Sequence, residues 1–242
     1  MIHTENLTKR FGKNNAVLDL NLDIKAGEFF CFLGPNGAGK TTTIKMLTGL
    51  LHPTRGKAIL GGYDIQQDPV KAKQLIGYIP DSPFLYEKLT GREFMRFVAG
   101  LYRLPEADEN ANAGKYLELF GILNVADQLI EDYSHGMRQK LSFASCFLHN
   151  PKIVIVDEPW VGLDPKNIRF VKDYLRQRTR EGLTVFMSTH TLSIAEEIAD
   201  RIGIINNGKL LHIGTVPEIK AMAERPGSLE DVFLELTEGD EA

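Results

Sequence analysis

The sequence predicts an α/β fold built on a strand–loop–helix core, with antiparallel strands at its start and a block of helices inserted midway. Three observations predict it. An apolar run from Glu28 to Leu33 leads into a glycine-rich segment, 34–41, and then into a helical stretch. A run of β-branched residues from Lys152 ends in two adjacent carboxylates, Asp157 and Glu158. Between these, from about Pro83 to Asn150, strand patterns give way to helical ones.

Each element has its own signal. In Leu18-Asp-Leu-Asn-Leu-Asp-Ile24 apolar and polar residues alternate, the period of a half-buried strand. Lys25-Ala-Gly27 makes a turn. The unbroken run Glu28 to Leu33 suits a central strand covered on both faces. Lys40 to Leu51 reads as a helix, Lys57 to Leu60 as a strand ending near Gly61-Gly62, and Ile76 to Pro80 as another strand. In the helical block, Thr90-Gly-Arg-Glu93 is a capping-box pattern. Further helices fit Glu106 to Phe120, Ala126 to Tyr133 and Gly136 to His149. The core resumes with the strand Lys152 to Asp157, a helix from Pro165 to about Glu181, a strand Thr184 to Ser188 and a helix Leu192 to Ala199. Arg201 to Ile205 and Lys209 to Ile213 flank Asn206-Asn-Gly208, a hairpin signal. Two short helices start near Pro217 and Ser228, and the acidic tail Glu238 to Ala242 reads as solvated and frayed.

The chain has 242 residues and 43% hydrophobic residues, enough to bury a sizeable core. A formal net charge of -4 gives no basic footprint, so no nucleic-acid partner is expected. No apolar run approaches the roughly 18 to 20 residues that span a bilayer. The start, MIHTENLTKRF, lacks the apolar stretch of a signal peptide. The expectation is a cytoplasmic protein that reaches a membrane only through a partner. Cys31 in FFCFL and Cys146 in FASCFL read as two buried, reduced thiols.

Gly34-Pro35-Asn36-Gly37-Ala38-Gly39-Lys40-Thr41 satisfies the phosphate-loop pattern, and its flanks are the strand and helix that pattern needs. Glycines let backbone N–H groups turn inward around phosphate oxygens, and the helix start adds partial positive charge. Lys40 can reach the β- and γ-phosphates, Thr41 can ligate Mg²⁺, and Thr42 can bond another phosphate oxygen. At the second strand end, successive side chains point to opposite faces. Asp157 would hold the Mg²⁺ shell, and Glu158 would face the attacking water. His190 ends a further strand at the same sheet edge. On the residues alone, it is equally a γ-phosphate contact or an ordinary satisfied histidine.

These residues, in this order, resemble the ATPase subunit of an ATP-binding cassette (ABC) transporter, over nearly the whole chain. Tyr133-Ser134-His135-Gly136-Met137-Arg138-Gln139-Lys140 looks like the family signature, usually written LSGGQ; Ser134 and Gly136 match it, whereas His135 and Met137 depart from it. Read bottom-up, Ser134 caps the helix that follows. The resemblance makes Gly162-Leu163-Asp164 the loop that crosses a dimer interface and His190 the switch histidine. It puts Phe11 where an aromatic stacks on adenine, a core aromatic being the equal alternative. Asp81 stands where the family usually has glutamine, which contacts Mg²⁺ and water; an ordinary loop acid is the even alternative. Ser228-Leu-Glu-Asp-Val-Phe233 resembles the ending of ATPase subunits of bacterial type-2 exporters.

The resemblance implies a P-loop NTPase core of ABC ATPase type, with an antiparallel β subdomain and an inserted α-helical subdomain. The chain would be a single domain over 1–242: 1–82 and 151–215 form the core and β subdomain, 83–150 the helical signature subdomain, and 216–242 the C-terminal helices and tail. It implies ATP and Mg²⁺ as cofactors, and a second copy whose signature covers the nucleotide. It further implies an integral-membrane permease that holds the chain peripherally on the inner face of the cell membrane, for transport in the export direction. The alternative, a soluble relative acting on nucleic acid or ribosomes, usually has two cassettes or a long coiled-coil insertion, and neither is seen here.

Overall fold

The alternation read from Leu20 onward becomes a strand face: Leu20, Leu22 and Ile24 are buried while Asn21 and Asp23 are exposed. They belong to β2 (Asn14–Ile24), which pairs antiparallel with β1 (Ile2–Phe11). Before Leu20 the phase breaks. Asp19 adopts φ 48, the register shifts, and the Leu18 N–H leaves the pairing to donate to the Gly208 carbonyl at 2.8 Å. With β4 (Arg55–Leu60) and the short β5 (Tyr63–Asp64), these strands form a four-stranded sheet in the order β2-β1-β4-β5. The computed structural model describes residues 1–160, 162–222 and 228–238.

The second sheet has six strands. Its centre is β3 (Phe29–Leu33), every residue of which is buried. The others are β6 (Ile76–Ile79), β7 (Ile153–Asp157), β8 (Thr184–Thr189), β9 (Arg201–Asn206) and β10 (Lys209–Gly214), in the order β10-β9-β3-β8-β7-β6. All neighbours run parallel except the β9–β10 hairpin. Alternate residues of β3 serve two cores. Phe30 and Phe32 join Phe186 on the side of the smaller sheet, with ring centroids 5.4 to 6.4 Å apart. Phe29, Cys31 and Leu33 face the helical side. Both cysteines are buried and unpaired, as expected.

Helix α1 (Lys40–Leu47) follows β3 and stops four residues before the expected Leu51. Gly49 turns left-handed at φ 67, and the N–H groups of Leu50 and Leu51 both fold back to the Lys45 carbonyl. Helix α2 (Pro69–Gln74), like β5, was not apparent in the periodicity, because both are too short to show one.

The inserted block consists of α3 (Gly91–Leu101), α4 (Glu106–Leu119) and α5 (His135–Cys146). The capping box at Thr90 and Glu93 forms in full. The helix expected over Ala126 to Tyr133 does not form. A single 3-10 turn precedes that stretch at Leu123–Val125, and another lies within it at Ile130–Asp132. Its carbonyls are taken by another element instead: Ala126 accepts from Arg92 N–H at 2.8 Å and Gln128 from Gly91 N–H at 3.4 Å. The orphan N–H groups at the start of α3 thus outcompete a local helix. The remaining helices are α6 (Pro165–Arg180), α7 (Leu192–Ile198), α8 (Val216–Lys220) and α9 (Leu229–Glu238). Of the acidic tail, 239–242 lie outside the described residues.

Helix α5 ends at Cys146 rather than His149. His149 instead stacks on Tyr102, with ring centroids 3.6 Å apart and planes 7° from parallel. The Tyr102 hydroxyl donates to the Ile76 carbonyl at 3.3 Å, and His149 Nε2 lies 3.1 Å from the same oxygen. Burial pushes the His149 imidazole down from the usual 6.5 to about 4, although the carbonyl contact opposes the shift. The unfolded chain binds this proton more readily than the folded one. The contribution of His149 to stability is therefore full above pH 6.5 and falls as pH drops towards 4. Urea midpoints measured across that window should decline less steeply for His149→Phe, which keeps the stack but has nothing to protonate.

Candidate functional site

The glycine-rich segment joins β3 to α1 with little freedom in how it runs. A Cβ at Gly34 would lie 2.4 Å from the Ile205 carbonyl oxygen, and a Cβ at Gly39 would lie 2.4 Å from that of Ala16. Gly39 also has φ 111, and Gly37 has φ 82 with open space beside it. Ala38 is buried between them. Gly39 cannot cap α1 with a side chain, so the first-turn N–H groups are left for an anion.

Lys40, the first residue of α1, is 7% exposed. Its Nζ donates to the carbonyls of Gly34 at 2.7 Å and Pro35 at 3.2 Å. Burial lowers the affinity of this amine for its proton, and the negative charges of Glu158 and Asp157 partly restore it. The loop therefore holds an ammonium group in a confined space, hydrogen-bonded to its own carbonyls, which phosphate oxygens can replace.

The carboxylates come from the end of β7. Asp157 is almost fully buried and accepts a 2.5 Å hydrogen bond from Ser188 Oγ on the adjacent strand β8. Glu158 follows in a left-handed conformation, φ 43, which a non-glycine residue adopts only at a cost. The result is that two consecutive carboxylates face one pocket rather than opposite faces. Glu158 Oε1 lies 2.9 Å from His190 Nδ1 and 3.7 Å from Lys40 Nζ. Neither approach has hydrogen-bond geometry, so this oxygen is buried without a hydrogen-bond partner. His190 stands just past β8 with its side chain 61% exposed.

A pocket of 260 Å³ gathers Lys40 and the two carboxylates, whereas His190 does not line it and meets it only through Glu158. From the loop and α1 it is lined by Pro35, Asn36, Gly37, Gly39, Lys40, Thr41 and Thr42. Asp81, Asp157 and Glu158 complete the opposite wall, with Ala16 of β2 at the side. Gly34 and Ala38 form the back of the loop and do not line it. An ammonium group and an open helix N-terminus in one pocket suit a polyphosphate, whereas among the described residues no three carboxylate, histidine or cysteine side chains cluster closely enough to hold a metal ion by themselves.

Other residues singled out in the sequence lie apart from this pocket. Phe11, at the end of β1, is 53% exposed, with Lys9 Nζ 5.2 Å from its ring centre. Ser134 caps α5 by accepting from Met137 N–H at 3.3 Å. Gly136 packs where a Cβ would come 3.0 Å from the Gly162 carbonyl. Asp164 caps α6, accepting from Asn167 N–H at 2.8 Å, and that bond holds its carboxyl below the usual range. Two contributors escaped the sequence reading, Ala16 and Ser188. Ala16 lies on β2 just before the bulge at Asp19, and no local pattern signals its place on the pocket wall. Ser188 sits opposite Asp157 in the β7–β8 register, which only strand pairing reveals.

Residues 17–161 match the family described as "ABC transporter". The chain is 37% identical over 237 residues to the linearmycin resistance ATP-binding protein LnrL of Bacillus subtilis, which covers 98% of this chain and 75% of that protein. It is also 37% identical to the probable multidrug ABC transporter ATP-binding protein YbhF of Escherichia coli; 98% of this chain matches, but it spans only 41% of that protein. Among solved structures, an ATP binding subunit of an ABC transporter superposes with a TM-score of 0.92 at 32% identity, covering 98% of this chain and 99% of that one. A dimeric post-hydrolysis state of the cassette MJ0796, bound to ADP and Pi, gives 0.82 at 25% identity, covering 89% and 98%.

The loop geometry has a direct test in stability. Gly39→Ala combines a disfavoured φ with a backbone clash and should cost about 2 to 4 kcal/mol in urea unfolding. Gly37→Ala meets only the φ penalty and should cost about 1 kcal/mol. Equal costs at the two positions would show that the carbonyl of Ala16 does not confine the loop.

Proposed function

Because the chain belongs to the ABC transporter family, we propose that it is the ATP-hydrolysing subunit of an exporter and drives a separate membrane permease as a homodimer. The observation that carries this reading is the convergence of Lys40, Asp157 and Glu158 in one pocket, with His190 against Glu158.

The residues fit both ATP and Mg²⁺. The confined loop is a cradle that a Cβ at Gly34 or Gly39 would fill, and the Glu158 Oε1 atom is buried and unbonded. The Thr41 hydroxyl and Asp157 would hold Mg²⁺, which when bound offsets charge on the phosphate oxygens. Asp81, on the same wall, would add a carboxylate to the outer metal shell in place of the family's usual glutamine. Lys40 exchanges its two loop carbonyls for β- and γ-phosphate oxygens. Thr42 and the loop N–H groups hold the remaining oxygens. Glu158 orients the attacking water and takes its proton at Oε1. His190 steadies that carboxylate and contacts the γ-phosphate. Most of the rate enhancement then comes from position and charge rather than covalent chemistry.

Ser134, Gly136, Met137 and Asp164 lie outside the pocket of their own chain, which supports a second copy as their target. Ser134, Gly136 and Met137 would cover its nucleotide with a helix N-terminus, and Asp164 would cross the interface. Phe11, being exposed, is free to stack on adenine from one side. The solved MJ0796 cassette is itself dimeric. No helix among the described residues is long and apolar enough to cross a membrane. A 520 Å³ apolar groove between the sheet and the helical block, with Phe84 90% exposed at its edge, suits a permease segment. The chain would thus work at the inner face of the membrane. Export is supported by LnrL, which is named for resistance to linearmycin.

Glu158→Gln should bind ATP as the unmodified chain does, lose about 100-fold or more in turnover, and accumulate as an ATP-bound dimer in gel filtration. Unchanged steady-state hydrolysis would remove Glu158 from its role.

A further inference from the structure

The β9–β10 turn takes no part in the mechanism above, yet it lies against the back of the phosphate loop. Asn207 and Gly208 both adopt left-handed conformations, φ 47 and 75, the pair that a tight two-residue hairpin needs. The Gly208 N–H donates to the Ala38 carbonyl at 2.9 Å, and the Gly208 carbonyl accepts from Leu18 N–H at 2.8 Å. The preceding Ile205 supplies the carbonyl that confines Gly34. The turn therefore satisfies a buried carbonyl in the middle of the loop and fixes the orientation of that peptide. The loop's N–H groups can aim at phosphate only while its peptides hold their orientation.

The turn is itself anchored. Asn206, 6% exposed, donates from Nδ2 to the Thr237 carbonyl at 3.0 Å. Thr237 lies in the last turn of α9, where carbonyls lack intrahelical partners. The helix is in turn fixed to the core by Leu229 and Val232, each 1% exposed. A continuous series of contacts thus runs from the C-terminal helix through one carboxamide and one turn to Ala38.

We propose that Asn206 is a positioning residue for the phosphate loop, and that α9 braces the loop in its polyphosphate-binding shape through the Asn206–Gly208 turn. The proposal takes from the preceding reading only that the loop binds ATP. It separates affinity from chemistry. Asp157 and Glu158 sit at the end of β7, fixed by the β7–β8 register, which the turn does not touch. Loosening the brace should weaken nucleotide binding and leave the hydrolytic step nearly as it was.

The test uses the full chain with Asn206→Ala, and a second chain terminated after Glu235. The latter lacks the Thr237 carbonyl but keeps Leu229 and Val232. Both should raise the ATP dissociation constant and KM about 3- to 10-fold, the loss expected for one hydrogen bond, with kcat within about 2-fold. Amide hydrogen exchange at Gly208 should quicken in both. A lower Tm with unchanged ATP affinity and unchanged Gly208 exchange would overturn the brace and leave ATP binding standing. Failure of the unmodified chain to bind ATP would overturn the functional reading, and this proposal with it.

Discussion

Two backbone carbonyls, those of Ala16 and Ile205, close on the phosphate loop so tightly that a single methyl group at Gly39 or Gly34 would meet them at 2.4 Å. The rest of the site is arranged around that closeness. Because β2 and β9 press on the loop, its peptides are held rigidly, and a rigid ring of N–H groups binds an anion without first losing conformational entropy. The bend of β2 at Asp19 exists in the same context. By bulging there, β2 frees the Leu18 N–H to meet Gly208 while it goes on pairing with β1 through Val17, Asn15 and Asn14, and Ala16 of this stretch stands on the pocket wall.

The electrostatics follow from the same confinement. Burial disfavours the charged form of Lys40, and only the neighbouring carboxylates and two loop carbonyls offset that cost. Asp157 is held by Ser188, whereas Glu158 Oε1 has no hydrogen bond and sits between Lys40 and His190. Glu158 Oε1 is thus held by its approach to Lys40 Nζ at 3.7 Å and His190 Nδ1 at 2.9 Å, on a backbone in a strained left-handed conformation.

The helical block shows a different use of the same rule, that orphan helix ends seek partners. The start of α3 takes the carbonyls of Ala126 and Gln128, and so keeps that connection from becoming a helix. Ser134 and Asp164 cap α5 and α6 locally. In α5 the cap satisfies the Met137 N–H, and Ser134, Gly136 and Met137 do not line the chain's own pocket.

What the sequence by itself determined was local. The loop spacing, the Asp157-Glu158 pair, the Thr90 capping box and the Asn-Gly hairpin depend on residues a few positions apart, so their patterns survive without knowledge of the fold. Central strand β3 was legible because burial on both faces demands an unbroken apolar run. Helix ends were less so. Gly49 and the His149–Tyr102 stack cut α1 and α5 short through backbone handedness and a distant ring. The tertiary structure alone decided that Ala16, Asp81 and Ser188 meet the loop and carboxylates, and that Asn206 ties Thr237 to that same region. These contacts join residues far apart in sequence, and their strength depends on register and on the bend at Asp19. Neither quantity leaves a mark in any short stretch of residues.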